Sequence, residues 1–429
     1  MEAALLKHPC YHEEAHHYFA RMHAPVAPKC NIQCKYCNPK FDCVNESRPG
    51  VVSKLLHPDE AFDKVSHIVS RMSNLAVVGI AGPGDPLANP QATFQTFRRI
   101  AENYPDIHLC LSTNGLMLTD YIGEIRKLNI RHVTVTVNAI DPEIGSRIYS
   151  HIRHEGILYK GKDAAELLIR SQLEGIRLAS TYGILCKINS VYIPGVNGEH
   201  LQEVSKAVRK LGAFSHNIMP LILSPGSQYY REGCRTPTPA EINKVQEESS
   251  RIMPVMRHCR QCRADAVGLL GSDWSQTPDM LPSEGKFNDK QRSEFQDKLL
   301  GEVKSTLKLN DDNTDWTDSV RVAVATRGSN VINQHFGHAK EFLIYDVKNQ
   351  ACRLVGVRKV QAYCNSSKDC DSPMSEILKV LIDCQMLLSS GIGKAPAEIL
   401  QQNGIIPLLR KGPIHEQLIE SVRYLNYFS

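Results

Sequence analysis

The sequence predicts an α/β protein built in two units, and three observations carry that prediction. Short β-branched runs alternate with amphipathic segments from about Leu75 onward, which implies a parallel sheet with crossover helices. The alternation breaks near Trp274, where a polar stretch rich in Asp, Asn, Ser and Pro runs to Asp318. A fresh β-branched run then opens at Val320, and about 110 residues remain, enough for a domain to fold alone. The expected units are therefore 1–273 and 319–429, joined by a linker over 274–318 around a short charged helix.

Taken in order, "LAVVGIAG" (75–82) reads as a buried strand, because its apolar residues run on without alternation. "QATFQTFRRIAENY" (91–104) carries an apolar stripe at helical spacing. "IHLCLSTNG" (107–115) is a strand ending in a turn, and "LTDYIGEIRKL" (118–128) is the helix behind it. "HVTVTVNA" (132–139) is strongly β-branched and reads as the next strand. Two more pairs follow: helix "AAELLIRSQLEGIRLAS" with strand "YGILCKINSVYIPG", then helix "EHLQEVSKAVRKLG" with strand "FSHNIMPLI". In such sheets the active site gathers at the C-terminal strand ends, in the βα loops. The second unit opens with "VRVAVAT" (320–326) and continues through "EFLIYDV", "SEILKVLIDCQMLLSSG" and "PAEILQQNG".

Composition narrows the function classes. Of 429 residues, 42% are hydrophobic and 22% charged, the balance of a water-soluble globular chain. No run of about 18 apolar residues exists, so a membrane span is not expected. The opening "MEAALLKHPCYHEEAHH" has early acids and no long apolar stretch, unlike a secretory signal. A net charge of +4 gives no support to nucleic-acid binding. The 14 cysteines and 17 histidines are the informative count. In a long chain with regular patterning, they point to a reducing cytoplasm and thiols kept for metal or catalysis.

"KCNIQCKYCN" sets Cys30, Cys34 and Cys37 on one tight loop. Three thiolates can hold three irons of a [4Fe–4S] cube and leave the fourth without a protein ligand. The alternative is structural zinc, which usually wants four ligands in paired short spacings. Further thiols stand in suggestive surroundings. Cys10 lies in the histidine-crowded "HPCYHEEAHHYFARMH", Cys43 in "PKFDC", Cys110 in a predicted strand, and Cys259 and Cys262 in "RHCRQCRAD". Each one singly reads as a small buried hydrophobe, and Cys186 is left as core. Cys-x2-Cys between arginines has metal-ligand spacing and favours ligation.

The triad ahead of a β/α unit resembles the radical S-adenosylmethionine (SAM) enzymes. That resemblance implies a partial (β/α) barrel in which the open iron is chelated by the SAM amino and carboxylate groups. An electron delivered there cleaves the sulfonium, and the adenosyl radical does the hard chemistry. "AGPGDP" (81–86) stands where the family carries a glycine-rich turn against the SAM amine, which makes Gly84 a candidate contact. Tyr36 stands where the family places an aromatic against the adenine. Thr136 and Ile188 occupy SAM-lining positions, with ordinary strand packing as the equal alternative.

The run from His8 to Gly50, with "AGPGDPLANP", "LSTNG" and "HCRQCRADAVG", closely resembles the NifB family of nitrogenase iron–molybdenum cofactor assembly. The resemblance implies three [4Fe–4S] clusters: one on the triad, one held by His17, Cys43 and Cys110, and one by Cys10, Cys259 and Cys262. His16 competes with His17, since neighbours on one helix point about 100° apart. The implied reaction is lyase-type. Two cubes fuse around a carbide drawn from a SAM methyl group, with added sulfide, into an eight-iron precursor. Implied partners are SAM, an electron donor of the ferredoxin or flavodoxin class, a cluster donor and a cofactor scaffold protein. Glu13, Glu14, Glu46, Arg48 and Asp85 sit within these motifs and are read as solvated or salt-bridged charges.

Residues 319–429 resemble the NifX-like cofactor-binding domains, through "VAVATRGSNVINQHFGHAKEFLIYDV" and "SSGIGKAPAEILQQNGI". This implies a ribonuclease-H-like α/β sheet. His335 and His338 are candidate cluster contacts, though hydrogen-bonded structural roles are the commoner use of such histidines. Cys364 and Cys370 form a second, wider pair. Two other readings stand beside the first: a radical SAM enzyme on a small organic substrate with auxiliary clusters, and a non-catalytic iron–sulfur carrier or scaffold.

Overall fold

The computed structural model describes residues 6–43, 52–259, 261–270, 272–273, 287–311, 319–327, 331–348, 351–363 and 371–426. Glu46, Arg48, Cys364 and Cys370 lie outside the described residues. The chain divides into two compact units, Met1–Asp297 and Lys298–Ser429.

The first unit follows the predicted alternation. Its elements are β1 (Ala20–His23), β2 (Ile32–Cys34), α1 (Pro58–Val69), β3 (Leu75–Ile80), α2 (Pro90–Asn103) and β4 (His108–Thr113). Then come α3 (Leu118–Lys127), β5 (His132–Thr136), α4 (Pro142–Ile148), β6 (Tyr149–His154), β7 (Ile157–Lys160) and α5 (Gly161–Thr181). The unit continues with β8 (Leu185–Tyr192), α6 (Leu201–Lys210), β9 (Ser215–Pro220), α7 (Pro239–Ser250), β10 (Val267–Leu269) and β11 (Ser272–Asp273). The main sheet runs β11-β10-β1-β3-β4-β5-β8-β9. From β1 to β9 every pairing is parallel, and β10 joins β1 antiparallel. It curls into an open partial barrel with helices outside.

Local chemistry explains the helices that strand alternation does not announce. His57 and Glu60 close a capping box on α1 with Pro58 behind it, and Thr238 and Glu241 do the same for α7. α2 buries Thr93, Phe94, Phe97 and Ile100, a single stripe at helical spacing.

Alternation along the strands sorts the two faces of the sheet. Leu109 and Leu111, Val133 and Val135, Cys186 and Ile188, and Ile218 join the outer core against the helices. The residues between them, Cys110, Ser112, Thr134, Lys187, Asn189 and Asn217, face an interior cavity. The wall facing the barrel axis is thus polar and thiol-bearing, which suits a bound guest better than packed aliphatics would.

α8 (Asp289–Asp311) is longer than the short linker helix the sequence suggests. Its first turns belong to the first unit. Arg292 is 2% exposed and bonds Asp106 at 2.5 Å, and Gln296 donates to the Leu75 carbonyl at 3.0 Å.

The second unit has β12 (Val320–Val324), β13 (Val331–Ile332), β14 (Glu341–Lys348), β15 (Ala351–Lys359), α9 (Asp371–Leu381), β16 (Met386–Ser389), α10 (Lys394–Gln402), β17 (Ile406–Leu409), β18 (Gly412–Pro413) and α11 (Ile414–Asn426). Its sheet order, β15-β14-β12-β16-β17, is antiparallel up to β12 and parallel beyond it, the ribonuclease-H-like arrangement. One face packs Ala323 and Leu387 with Ile377 and Leu400, and the other packs Val322 and Leu388 with Leu418.

Candidate functional site

The cysteine loop is held from three directions. Cys34 sits in β2, which pairs antiparallel with β6, a strand the sequence reading did not anticipate. Gln33 Nε2 donates to the carbonyls of Cys34 and Cys37, both at 3.0 Å, and so fixes the loop's curvature. The glycine-rich turn closes it from behind: Gly84 N–H donates to the Ala27 carbonyl at 2.7 Å and Asp85 N–H to that of Lys29 at 2.8 Å.

Gly84 therefore has a reason of its own to be glycine. A Cβ there would lie 2.3 Å from the Lys29 carbonyl oxygen and 2.8 Å from that of Pro28. The backbone making the close approach is the start of the cysteine loop. Gly84→Ala must displace that loop, and the expected cost is about 2–4 kcal/mol, in the upper tail of single substitutions. Urea unfolding of purified protein checks it; a loss under about 0.5 kcal/mol would refute the packing argument.

Asp85 joins this turn to "LSTNG". Its buried carboxylate accepts from Leu87 N–H at 2.9 Å, Ala88 N–H at 3.2 Å, Asn114 N–H at 2.6 Å and the Thr113 hydroxyl at 3.0 Å. Burial pushes its carboxyl up, and these donors pull it back. The reading of Asp85 as a solvated or salt-bridged charge is thus corrected: it is an internal acceptor for two βα loops. Asn114, fixed in this way, donates to Asn31 Oδ1 at 2.7 Å and stands 3.9 Å from Cys30 Sγ.

Cys30, Cys34 and Cys37 open on a cavity of about 340 Å³ that Gly84, Asp85, Asn114 and Cys43 also line. That volume lies in the range of small-molecule sites. Burial pushes the Cys30 and Cys37 thiols up to about 12, with Asp85 adding to the first and Cys34 to the second. A metal centre would reverse the effect, since its charge deprotonates coordinating thiols. Among the described residues, no three His, Cys, Asp or Glu side chains converge as one bound metal ion requires.

A second cavity, about 60 Å³, lies inside the barrel, lined by Cys10, Cys110, Cys259 and Cys262. Cys110 reaches it because β4 alternation turns it inward. Cys10 arrives on the N-terminal segment, which is pinned by Tyr11 Oη donating to the Val133 carbonyl at 2.8 Å and by His258 Nε2 at 3.1 Å from the Pro9 carbonyl. The turn after β3 contributes to both cavities, Ala81 to this one and Pro83 to the first.

The structure gathers Cys10, Cys259 and Cys262 as a set but divides the other set. Cys110 lies with those three, Cys43 lies on the triad cavity, and His17 lines neither. His16 and His17 sit on a 3₁₀ turn, Glu14–His17, with ring centroids 3.8 Å apart, so the α-helical argument for choosing between them does not apply. The His16 ring meets the Glu13 carbonyl and stacks on His258 at 5.0 Å. Glu14 is buried, and burial, with Glu13 adding, pushes its carboxyl up to about 7.

Among the SAM-contact candidates, Tyr36 is fully buried, its hydroxyl accepting from Asn138 Nδ2 at 2.7 Å. Thr136 is buried on β5, its carbonyl accepting from Gln172 at 2.7 Å. Ile188 belongs to the outer core, because strand alternation turns it toward the helices. This is the strand-packing alternative of its two readings; Val191 and Ile193, farther along the same chain, pack with Cys34 and Tyr36. Sequence reasoning also passed over Arg21, His23 and Lys187. Their signal was the period-2 phase of β1 and β8 relative to Cys110. In the second unit, His335 Nδ1 accepts from Gly337 N–H at 3.1 Å, the structural use of that side chain.

Comparison with known proteins adds the family. Residues 25–208 match the Radical SAM superfamily, and residues 318–423 match the dinitrogenase iron-molybdenum cofactor family. The FeMo cofactor biosynthesis protein NifB of Frankia alni is 46% identical over 94% of this chain and 85% of its own length. That of Azotobacter vinelandii is 44% identical over 95% of this chain and 85% of its own. The chain belongs to the NifB family. It is accordingly a radical SAM enzyme of FeMo cofactor biosynthesis, with a [4Fe–4S] cluster and SAM as cofactors. Methylornithine synthase (PylB), a solved structure, aligns with 59% of the chain and 68% of its own at a TM-score of 0.40 and 14% identity. Among the described residues of this NifB-family chain, no helix is long and apolar enough to cross a membrane.

Proposed function

We propose that this chain joins two [4Fe–4S] substrates, with a SAM-derived carbide and added sulfide, into the iron–sulfur precursor of the FeMo cofactor, a lyase-type reaction. The observation that carries the reading is a thiol-lined interior that shares the turn after β3 with the triad cavity. Cys30, Cys34 and Cys37 would hold the resident cluster. That cluster and SAM, when bound, supply one-electron cleavage of the sulfonium and a carbon radical.

The chain's own residues position and seclude. Gln33, Gly84 and Asp85 keep the triad loop in one shape, and Asn114 caps it beside Cys30. Cys10, Cys259 and Cys262 hold one substrate cube. His17, Cys43 and Cys110, grouped by the family resemblance, would take the other. Few ligands, one of them an easily displaced histidine, let the product depart. The second unit holds or hands on the precursor to a scaffold partner. Electrons come from a donor of the ferredoxin or flavodoxin class, and cubes from a cluster donor.

Iron and sulfide analysis of anaerobically reconstituted protein tests the reading. About twelve irons per chain are expected for three cubes. A saturated value near four would refute the two-substrate reading and leave a simpler radical SAM enzyme.

A further inference from the structure

The triad loop and the hairpin beside it are basic. Residues 28–41 contain Lys29, Lys35 and Lys40 and no Asp or Glu. Residues 149–160, which form β6 and β7, add His151, Arg153 and Lys160 against a single acid, Glu155, in the turn. Lys29, Lys40, Arg153 and Lys160 are exposed. Asp42 and Asp85, the acids that line the triad cavity, are buried.

Strand register gathers the hairpin charges on one side. β2, β6 and β7 form a three-stranded sheet in that order, with β7 at its edge. Gln33, His151 and Lys160 stand opposite one another across the three strands, and Arg153 stands opposite Leu158. Directly opposed residues share a face, and so do residues two apart. That face puts Gln33, His151 and Arg153 in the wall of the triad cavity. The other face packs Ile32, Ile152 and Tyr159 against the core. Leu158, 43% exposed, is thus an apolar spot among cations, next to residues that line the triad cavity.

An apolar spot inside a charged rim is the anatomy of a protein–protein interface. The sign of the rim selects an anionic partner, and complementary charge speeds the encounter. SAM does not fit that demand, because its sulfonium and amino group outweigh its one carboxylate. Position decides the kind of partner. The face borders the cavity of the triad, where electrons must arrive one at a time, and not the interior cavity lined by Cys10, Cys259 and Cys262. We propose that the outward face of the β2-β6-β7 sheet, with the lysines of the triad loop, docks a small acidic protein that delivers single electrons to the triad cluster. Docking here presupposes the resident cluster of the reading given above. Leu158 makes the apolar contact, and Arg153 and Lys160 pair with carboxylates of the carrier around it. The carrier then meets the wall of the triad cavity itself, so the electron does not cross the barrel.

The test uses the full chain, reconstituted anaerobically with iron and sulfide, and a flavodoxin as the acidic carrier. The variants are Lys160→Glu, Leu158→Asp and Glu155→Lys, at positions that do not line the triad cavity. Binding of oxidised flavodoxin is read by isothermal titration calorimetry at low and high salt. Lys160→Glu and Leu158→Asp should each weaken it at least about fivefold at low salt, and Glu155→Lys should tighten it. Wild-type affinity should fall as salt rises. SAM cleavage driven by limiting reduced flavodoxin should follow the same order. Cleavage driven by dithionite should stay at the wild-type level in all three, because a small reductant needs no docking face. Affinities within about twofold of wild type in all three variants would overturn the docking face and leave the cluster reading standing. A wild-type chain that cleaves no SAM under dithionite would overturn both.

Discussion

Cys34→Ala is expected to reduce SAM cleavage to background, a loss of at least about a thousandfold, or about 4 kcal/mol of transition-state stabilisation. Two thiolates in place of three cannot hold a cube that leaves only one iron open. The loop itself should survive. Cys34 is 4% exposed and the substitution removes its side-chain hydrogen bond with Tyr36, yet the backbone groups and Gln33 that set the loop's curvature are left in place. The measurement is 5′-deoxyadenosine formed under reductant by anaerobically reconstituted protein. Cys186→Ala is the matched control: Cys186 is fully buried in the outer core, so its loss should cost stability and spare cleavage. Retention of cleavage within about tenfold in Cys34→Ala would remove the triad from the chemistry.

Asp85→Ala should have the largest effect on stability. The change strands the N–H groups of Leu87, Ala88 and Asn114 and the Thr113 hydroxyl in a buried site. Each unsatisfied buried donor costs about 1–3 kcal/mol, so the sum is a large part of the usual 5–15 kcal/mol of a folded domain. Thermal unfolding of the first unit is expected to fall by about 10 °C or more. The affinity for SAM should fall with it, because the glycine-rich turn and "LSTNG" lose their common anchor. Asp85→Asn keeps one acceptor oxygen and should be milder. An unfolding temperature within about 2 °C of wild type in Asp85→Ala would show that the carboxylate does not staple these loops.

The two substitutions separate the parts of the site that a sequence shows from those it conceals. Cys34 was legible because three thiols within eight residues form a pattern in one dimension. Asp85 was not, since a carboxylate in a Gly–Pro turn looks like a solvated charge until Thr113 and Asn114, nearly thirty residues farther on, are brought to it. At Gly84 the close approach that the structure shows is made by the chain's own backbone, at Lys29 and Pro28. Ile188 left two readings open. A strand's outer and inner faces differ by one residue, and nothing in "CKINSVY" says which phase meets the ligand.

By itself the sequence determined the strand–helix alternation, the presence of two units and the family, because each is a local pattern or a contiguous likeness. Only the tertiary structure decided that Cys10, Cys110, Cys259 and Cys262 share one cavity while Cys43 lies on the other. It alone also placed Arg21 and Lys187 among those thiols. The physical reason is that strand phase, sheet order and loop closure set which side chains meet, and these depend on contacts among residues far apart in the chain.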